Sequence, residues 1–265
     1  MNIDNGTRLR RGIELFRSEM VKLWSVPSTW WMLLIEFVAA VGIGALTAHA
    51  DVAGWDQWTP AERAGFDALA ESLWGLLVAQ LVLAILGAMS ITGEYSTGLI
   101  RTTLTAVPAR GAVLAAKAAV VATSVAVTGT VTTLTAFAVG QAIFATKHIA
   151  VSLGHPGVVP GLVAAVGYLV AASVIGLGLG ALLRHTAAAL TVLVGLLFLA
   201  PELVHGTSPS VSRVSNALPG TAVRRLVSLY PWHGAPSAPL AWTVIATYPV
   251  VLLTAAVLAI RRRDL

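Results

Sequence analysis

Long apolar runs separated by short polar stretches dominate this chain, and their lengths set the first expectation. Runs at about 29–48, 72–92, 112–145, 159–183, 186–204 and 240–260 carry almost no charge. Each approaches or exceeds the ~20 residues that a helix needs to cross ~30 Å of hydrocarbon. They predict an all-α polytopic membrane protein with six transmembrane helices, the third long or tilted. Ahead of the first run, Leu9, Ile13, Phe16, Met20 and Leu23 recur at helical spacing while Arg10, Glu14 and Arg17 fall elsewhere. That pattern over 8–24 predicts an amphipathic helix, either lying in the membrane interface or simply solvated before the first span.

The polar breaks set the orientation. Between Asp51 and Glu71 five acids face one cation, Arg63, and Thr59, Pro60 and Glu62 form a capping-box helix start. Trp55 and Trp58 in this loop are expected at the membrane surface. The segment from Gly93 to Arg110, GEYSTGLIRTTLTAVPAR, is too long for a tight turn and has room for a short helix parallel to the membrane. With both termini and this segment on one side, twelve of the seventeen Lys and Arg residues lie there. The positive-inside rule makes that side cytoplasmic. Lys117, near the start of the third run, is expected to reach back to the headgroups.

Composition agrees: 57% of residues are hydrophobic and 11% charged, against roughly 25% charged in a typical soluble domain. The net charge of +5 is spread beside apolar runs instead of clustered on a soluble face, so membrane topology explains it better than nucleic acid. Within the runs, Glu36 stands out, because an ionisable group at membrane depth costs about 2.5 kcal/mol or more. It faces a pathway, pairs with a polar group on another helix, or reaches the interface. Thr123, Thr128, Thr130, Thr132, Thr133 and Thr135 make the third run hydroxylic, with Thr128 and Thr132 as pathway candidates. Bonding to their own helix carbonyls is the plainer reading. Gly176, Gly178 and Gly180 supply a small-residue face, with Gly176 and Gly180 suited to close helix packing.

Several chemistries are excluded by their motifs. No GxxxxGK[ST] phosphate loop, HExxH or GxSxG occurs, and the absence of cysteine removes thiolate sites and disulfides. The six histidines are too scattered to propose a zinc site.

Four stretches carry a resemblance: SEMVKLWSVPSTWW (Ser18 to Trp31), SITGEYSTGLIRTTLTAVPARGAVLAAKAAV (Ser90 to Val120), GLGLGALLRHTAAAL (Gly176 to Leu190) and the RRRD end. In this order they resemble the permease subunits of ABC-2 type exporters in their actinobacterial form. The resemblance implies a six-span subunit of the bacterial plasma membrane. It would pair with a second permease subunit, commonly identical, and with two copies of a separate ABC ATPase that binds ATP and Mg. It also implies that 93–110 holds a cytoplasmic coupling helix seated in the ATPase, with Glu94, Tyr95, Ser96, Thr97, Gly98, Leu99, Ile100 and Arg101 as contacts. The chain departs from the family at Val26 and Ala109, where basic residues are expected. This lowers the positive charge at the cytoplasmic edge without altering the topology.

The resulting expectation is a non-enzymatic permease for an amphiphilic or hydrophobic cargo such as a drug, antibiotic or lipid. Two alternatives use the same residues: a non-transporting anchor that recruits a soluble partner, and an ion-coupled transporter centred on Glu36.

Overall fold

The computed structural model describes residues 3–99, 110–204 and 209–262. Among them every regular element is helical and no strand occurs. The surface helix α1 (Ile3–Ser25) breaks at Ser25–Val26, and Pro27 then starts the first span, α2 (Pro27–Gly54). Proline suits that position, because the first amide of a helix has no intrahelical acceptor to lose. Two short helices follow, α3 (Pro60–Ala64) and α4 (Ala68–Ser72), and then the spans α5 (Leu76–Ser96), α6 (Arg110–Phe144) and α7 (Val158–Leu183). The fifth span, α8 (Thr186–Leu203), contains a π-helical segment at Val194–Leu199. The short helices α9 (Pro209–Asn216) and α10 (Pro219–Val227) precede the last span, α11 (Ala238–Arg262). Among the described residues six helices are long and apolar enough to cross a membrane. The chain is a multi-pass membrane protein.

The capping box forms as its residues dictate: the Glu62 amide donates to Thr59 Oγ1 at 3.3 Å, and the Thr59 amide donates to Glu62 Oε2 at 2.7 Å. The same loop carries an aromatic cluster. Trp55 and Trp58 are half-buried and stack with Phe66, which in turn meets Phe144 edge-on at 5.1 Å. These ring contacts tie the loop to the end of α6. The second span starts later than its uncharged run, because Asp67 caps α4 through the amides of Leu69 and Ala70, both at 3.1 Å. Residues up to Ser72 are thereby drawn into α4.

The centre of the bundle is the pair α5 and α7. A Cβ added to Gly176 would stand 1.9 Å from the Ala84 carbonyl oxygen, and one on Gly87 1.9 Å from that of Ser173. Only glycine lets the two backbones approach this closely. Gly180 packs against Ala88 and Ile91, whereas Gly178 faces Leu252 of α11. Around this pair, α2, α6 and α11 expose large apolar side chains outward, among them Leu34, Val38, Val127, Val131, Val250 and Leu258. Such a surface suits lipid tails and no aqueous phase.

Candidate functional site

The polar residues at one end of the bundle converge on a single cluster. α1 packs along α6, and this brings Glu19, buried within the packed face of α1, opposite Lys117. The Lys117 ammonium donates to Glu19 Oε2 at 2.5 Å and to Glu94 Oε1 at 3.0 Å. Lys22 completes the group, donating to Glu19 Oε1 at 2.6 Å and to Glu94 Oε1 at 3.3 Å. Two carboxylates and two ammonium groups alternate, so the cluster is neutral. Glu19, Glu94 and Lys117 are buried, while the Lys22 side chain is 43% exposed. Charges removed from water persist only when paired.

Burial alone would raise the Glu19 carboxyl, but Lys117 and then Lys22 outweigh it and hold Glu19 below its ordinary value. Burial likewise disfavours the charged Lys22, and the attraction of Glu19 and Glu94 reverses the effect. Both therefore stay ionised around neutral pH. The expectation that Lys117 reaches back to headgroups is overturned, because its ammonium is turned inward onto two carboxylates. Glu19 is the residue that sequence reading missed. Its signal is a glutamate three residues before Lys22, on the apolar flank of an otherwise basic helix.

The expected contacts of 93–110 do not share one environment. Glu94, Tyr95 and Ser96 form the last turn of α5 itself. Glu94 is committed to the cluster, and Tyr95 lies half-buried with the Arg184 guanidinium 5.2 Å from its ring centre. Arg184 is the left-handed cap of α7, at φ 55°, so this contact joins the ends of two spans. Ser96, Thr97, Gly98 and Leu99 are exposed. The hydroxyls of Ser96 and Thr97 donate to the Gly93 carbonyl at 2.9 and 2.8 Å, and Gly98, at φ 74°, ends the helix in the left-handed conformation that glycine adopts freely. Ile100 and Arg101 lie outside the described residues.

A crevice of about 440 Å³ runs beside the cluster, and its lining includes Glu19, Lys22 and Glu94 together with Met32, Leu86 and Met89. Deeper in the bundle, Glu36 is fully buried, and the Thr132 hydroxyl donates to its Oε2 at 3.1 Å. Glu36 is thus paired with a polar group on another helix, and among the described residues its Oε1 has no hydrogen-bond partner. Thr128 donates to the Ser124 carbonyl of its own helix at 3.0 Å, as do Thr130 and Thr135 to theirs. Among the described residues no group of three His, Asp or Glu side chains is placed to hold a metal ion. Compared with models of known protein families and with curated proteins, the chain matches none.

Proposed function

We propose that the chain is the permease subunit of an ATP-driven exporter of the ABC-2 type. It would sit in a bacterial plasma membrane with both termini and the 93–110 segment cytoplasmic, and would draw work from two copies of a separate ATPase that bind ATP and Mg. A second permease subunit, an identical copy, would complete a path for an amphiphilic or hydrophobic cargo. The observation that carries this reading is the Glu19–Lys117–Glu94–Lys22 cluster. It welds the surface helix, the end of α5 and the start of α6 into one unit beside the exposed Ser96–Leu99 turn. A force applied at that turn is delivered to three elements together, as conversion of partner motion into rocking of the spans requires. The chain's own lack of a phosphate loop fits the same division of work.

The test is reconstitution with the ATPase and measurement of permease-stimulated hydrolysis. Leu99→Ala and Arg101→Ala should each lower the stimulation severalfold while the permease still folds. Unchanged stimulation together with unchanged co-purification would remove the segment from this role. A permease that binds the ATPase without moving cargo would instead be an anchor.

A second reading rests on Glu36, a fully buried carboxyl with one oxygen unpartnered among the described residues. Intramembrane carboxyls of this kind serve proton relays and ion paths. This reading expects transport that survives loss of the ATPase and stops when the proton gradient is collapsed.

A further inference from the structure

At the end of the bundle opposite the ion cluster, α5, α7, α8 and α10 enclose a cavity of about 290 Å³. This lies near the lower limit of ligand pockets, roughly 300–1,000 Å³. Its walls include Leu73, Leu76, Ala165, Leu197 and Val223. The polar groups that reach it are already paired. The Tyr168 hydroxyl donates to Gln80 Oε1, Gln80 Nε2 donates to the Leu77 carbonyl at 3.0 Å, and Arg224 forms an ion pair with Glu202. Water would find few partners inside, so the interior suits an apolar occupant.

The fifth span is deformed where it forms the wall. Leu197 belongs to the π-helical segment Val194–Leu199, and Pro201 follows with no amide proton to return to the Leu197 carbonyl. Such widened turns gather at functional sites and let a helix shift locally. The backbone of Gly220 on α10 lies close against Pro201, where an added Cβ would come within 2.7 Å of the ring. The short helix α10 is therefore seated on the deformed turn.

The mouth differs from the interior. Trp74, 46% exposed, and Arg224, with a side chain 38% exposed, both border the cavity. Tryptophan favours the headgroup level of a bilayer, and a guanidinium binds phosphate oxygens through donors that one carboxylate does not exhaust. An apolar slot with an indole and a guanidinium at its opening matches a chain joined to a phosphate, and in a six-span membrane protein the bilayer supplies such molecules.

We propose that this cavity holds one acyl chain of a membrane phospholipid, with the phosphate at Arg224, and that the lipid wedges α8 and α10 against α5 and α7. The experiment is native mass spectrometry of the full chain purified in mild detergent, counting phospholipids that survive stepwise activation. Wild-type protein should keep one phospholipid per chain. Ala165→Phe and Val223→Phe, which fill the slot from opposite walls, should lose it, whereas Val163→Phe, at a 58% exposed position on α7, should retain it. Arg224→Gln should weaken retention roughly tenfold, the scale of one charge-assisted bond. A wild-type chain that keeps no phospholipid overturns the proposal whatever the variants do. Equal retention in folded Ala165→Phe or Val223→Phe also overturns it. A retained apolar species lacking phosphate would do the same, and would point to a cargo or free lipophile as the occupant.

Discussion

Lys117 of α6 and Glu19 of α1 meet at 2.5 Å across 98 residues of sequence, with side chains 5% and 2% exposed. Glu94 accepts from the same ammonium, so removing Lys117 would leave two buried carboxylates with only the half-exposed Lys22 to hold them. Lys117→Met should therefore cost about 3–5 kcal/mol, the range for stranding a buried charge. Lys22→Met should cost under about 1 kcal/mol, because a half-exposed partner is replaced by water. Thermal unfolding midpoints in detergent check the contrast. Equal effects from the two lysines would show that burial does not set the strength of this cluster.

Close approach of α5 and α7 depends on missing side chains, and Gly176 is the sharpest case. Gly176→Ala places a methyl 1.9 Å from the Ala84 carbonyl oxygen, so backbone must move. Overpacking of this kind costs about 1–3 kcal/mol, occasionally more. Gly42→Ala on α2 meets nothing within 4 Å and should be neutral or gain up to about 1 kcal/mol in helix propensity. Unfolding midpoints of the two variants, measured side by side, decide it.

The contrast between Gly176 and Lys117 shows what sequence makes legible. Glycine spacing and run length are local patterns, so all six spans and the capping box at Thr59 could be read directly. The ion cluster could not, because the rotation of α1 against α6 decides whether Lys117 meets Glu19 or the headgroups, and periodicity does not encode that rotation. The same holds for the threonines of α6: Thr132 and Thr128 share a helix and a chemistry, yet only Thr132 faces Glu36. The π-helical turn in α8 had a partial signal in Pro201, which removes one helix hydrogen bond. Its position against Gly220 required the packed structure.

Thr132→Val should cost about 1–3 kcal/mol, because it leaves Glu36 Oε2 buried without its donor. Thr128→Val should cost under about 0.5 kcal/mol, since that hydroxyl only returns to its own helix. Glu36→Gln keeps the shape and removes the ionisable group, so the fold should hold or gain stability. Transport by the same variant separates the two functional readings: persistence of ATP-driven efflux argues for a structural glutamate, and its loss with intact folding argues for an ion path.

Glu71, on the short helix α4 beside Asp67, gives the far end of the bundle a dependence on pH. Burial pushes its carboxyl up to about 7, with the charges of Asp51 and Asp67 adding to the rise and the Trp74 side chain opposing it. The folded value is thus above the ordinary 4.5, so between the two the folded chain binds more protons than the unfolded one. The associated stability is fully present below about pH 4.5 and is lost as pH rises through about 7. Each pKa unit corresponds to about 1.36 kcal/mol at full strength, and screening by residual solvent brings the expected effect to the order of 1 kcal/mol. Wild-type protein should therefore unfold at a higher temperature at pH 5.5 than at pH 8 in the same detergent. Glu71→Gln should reproduce the low-pH stability at pH 8 and flatten this part of the profile. A variant whose midpoint still climbs on acidification by the wild-type amount would move the effect to another group.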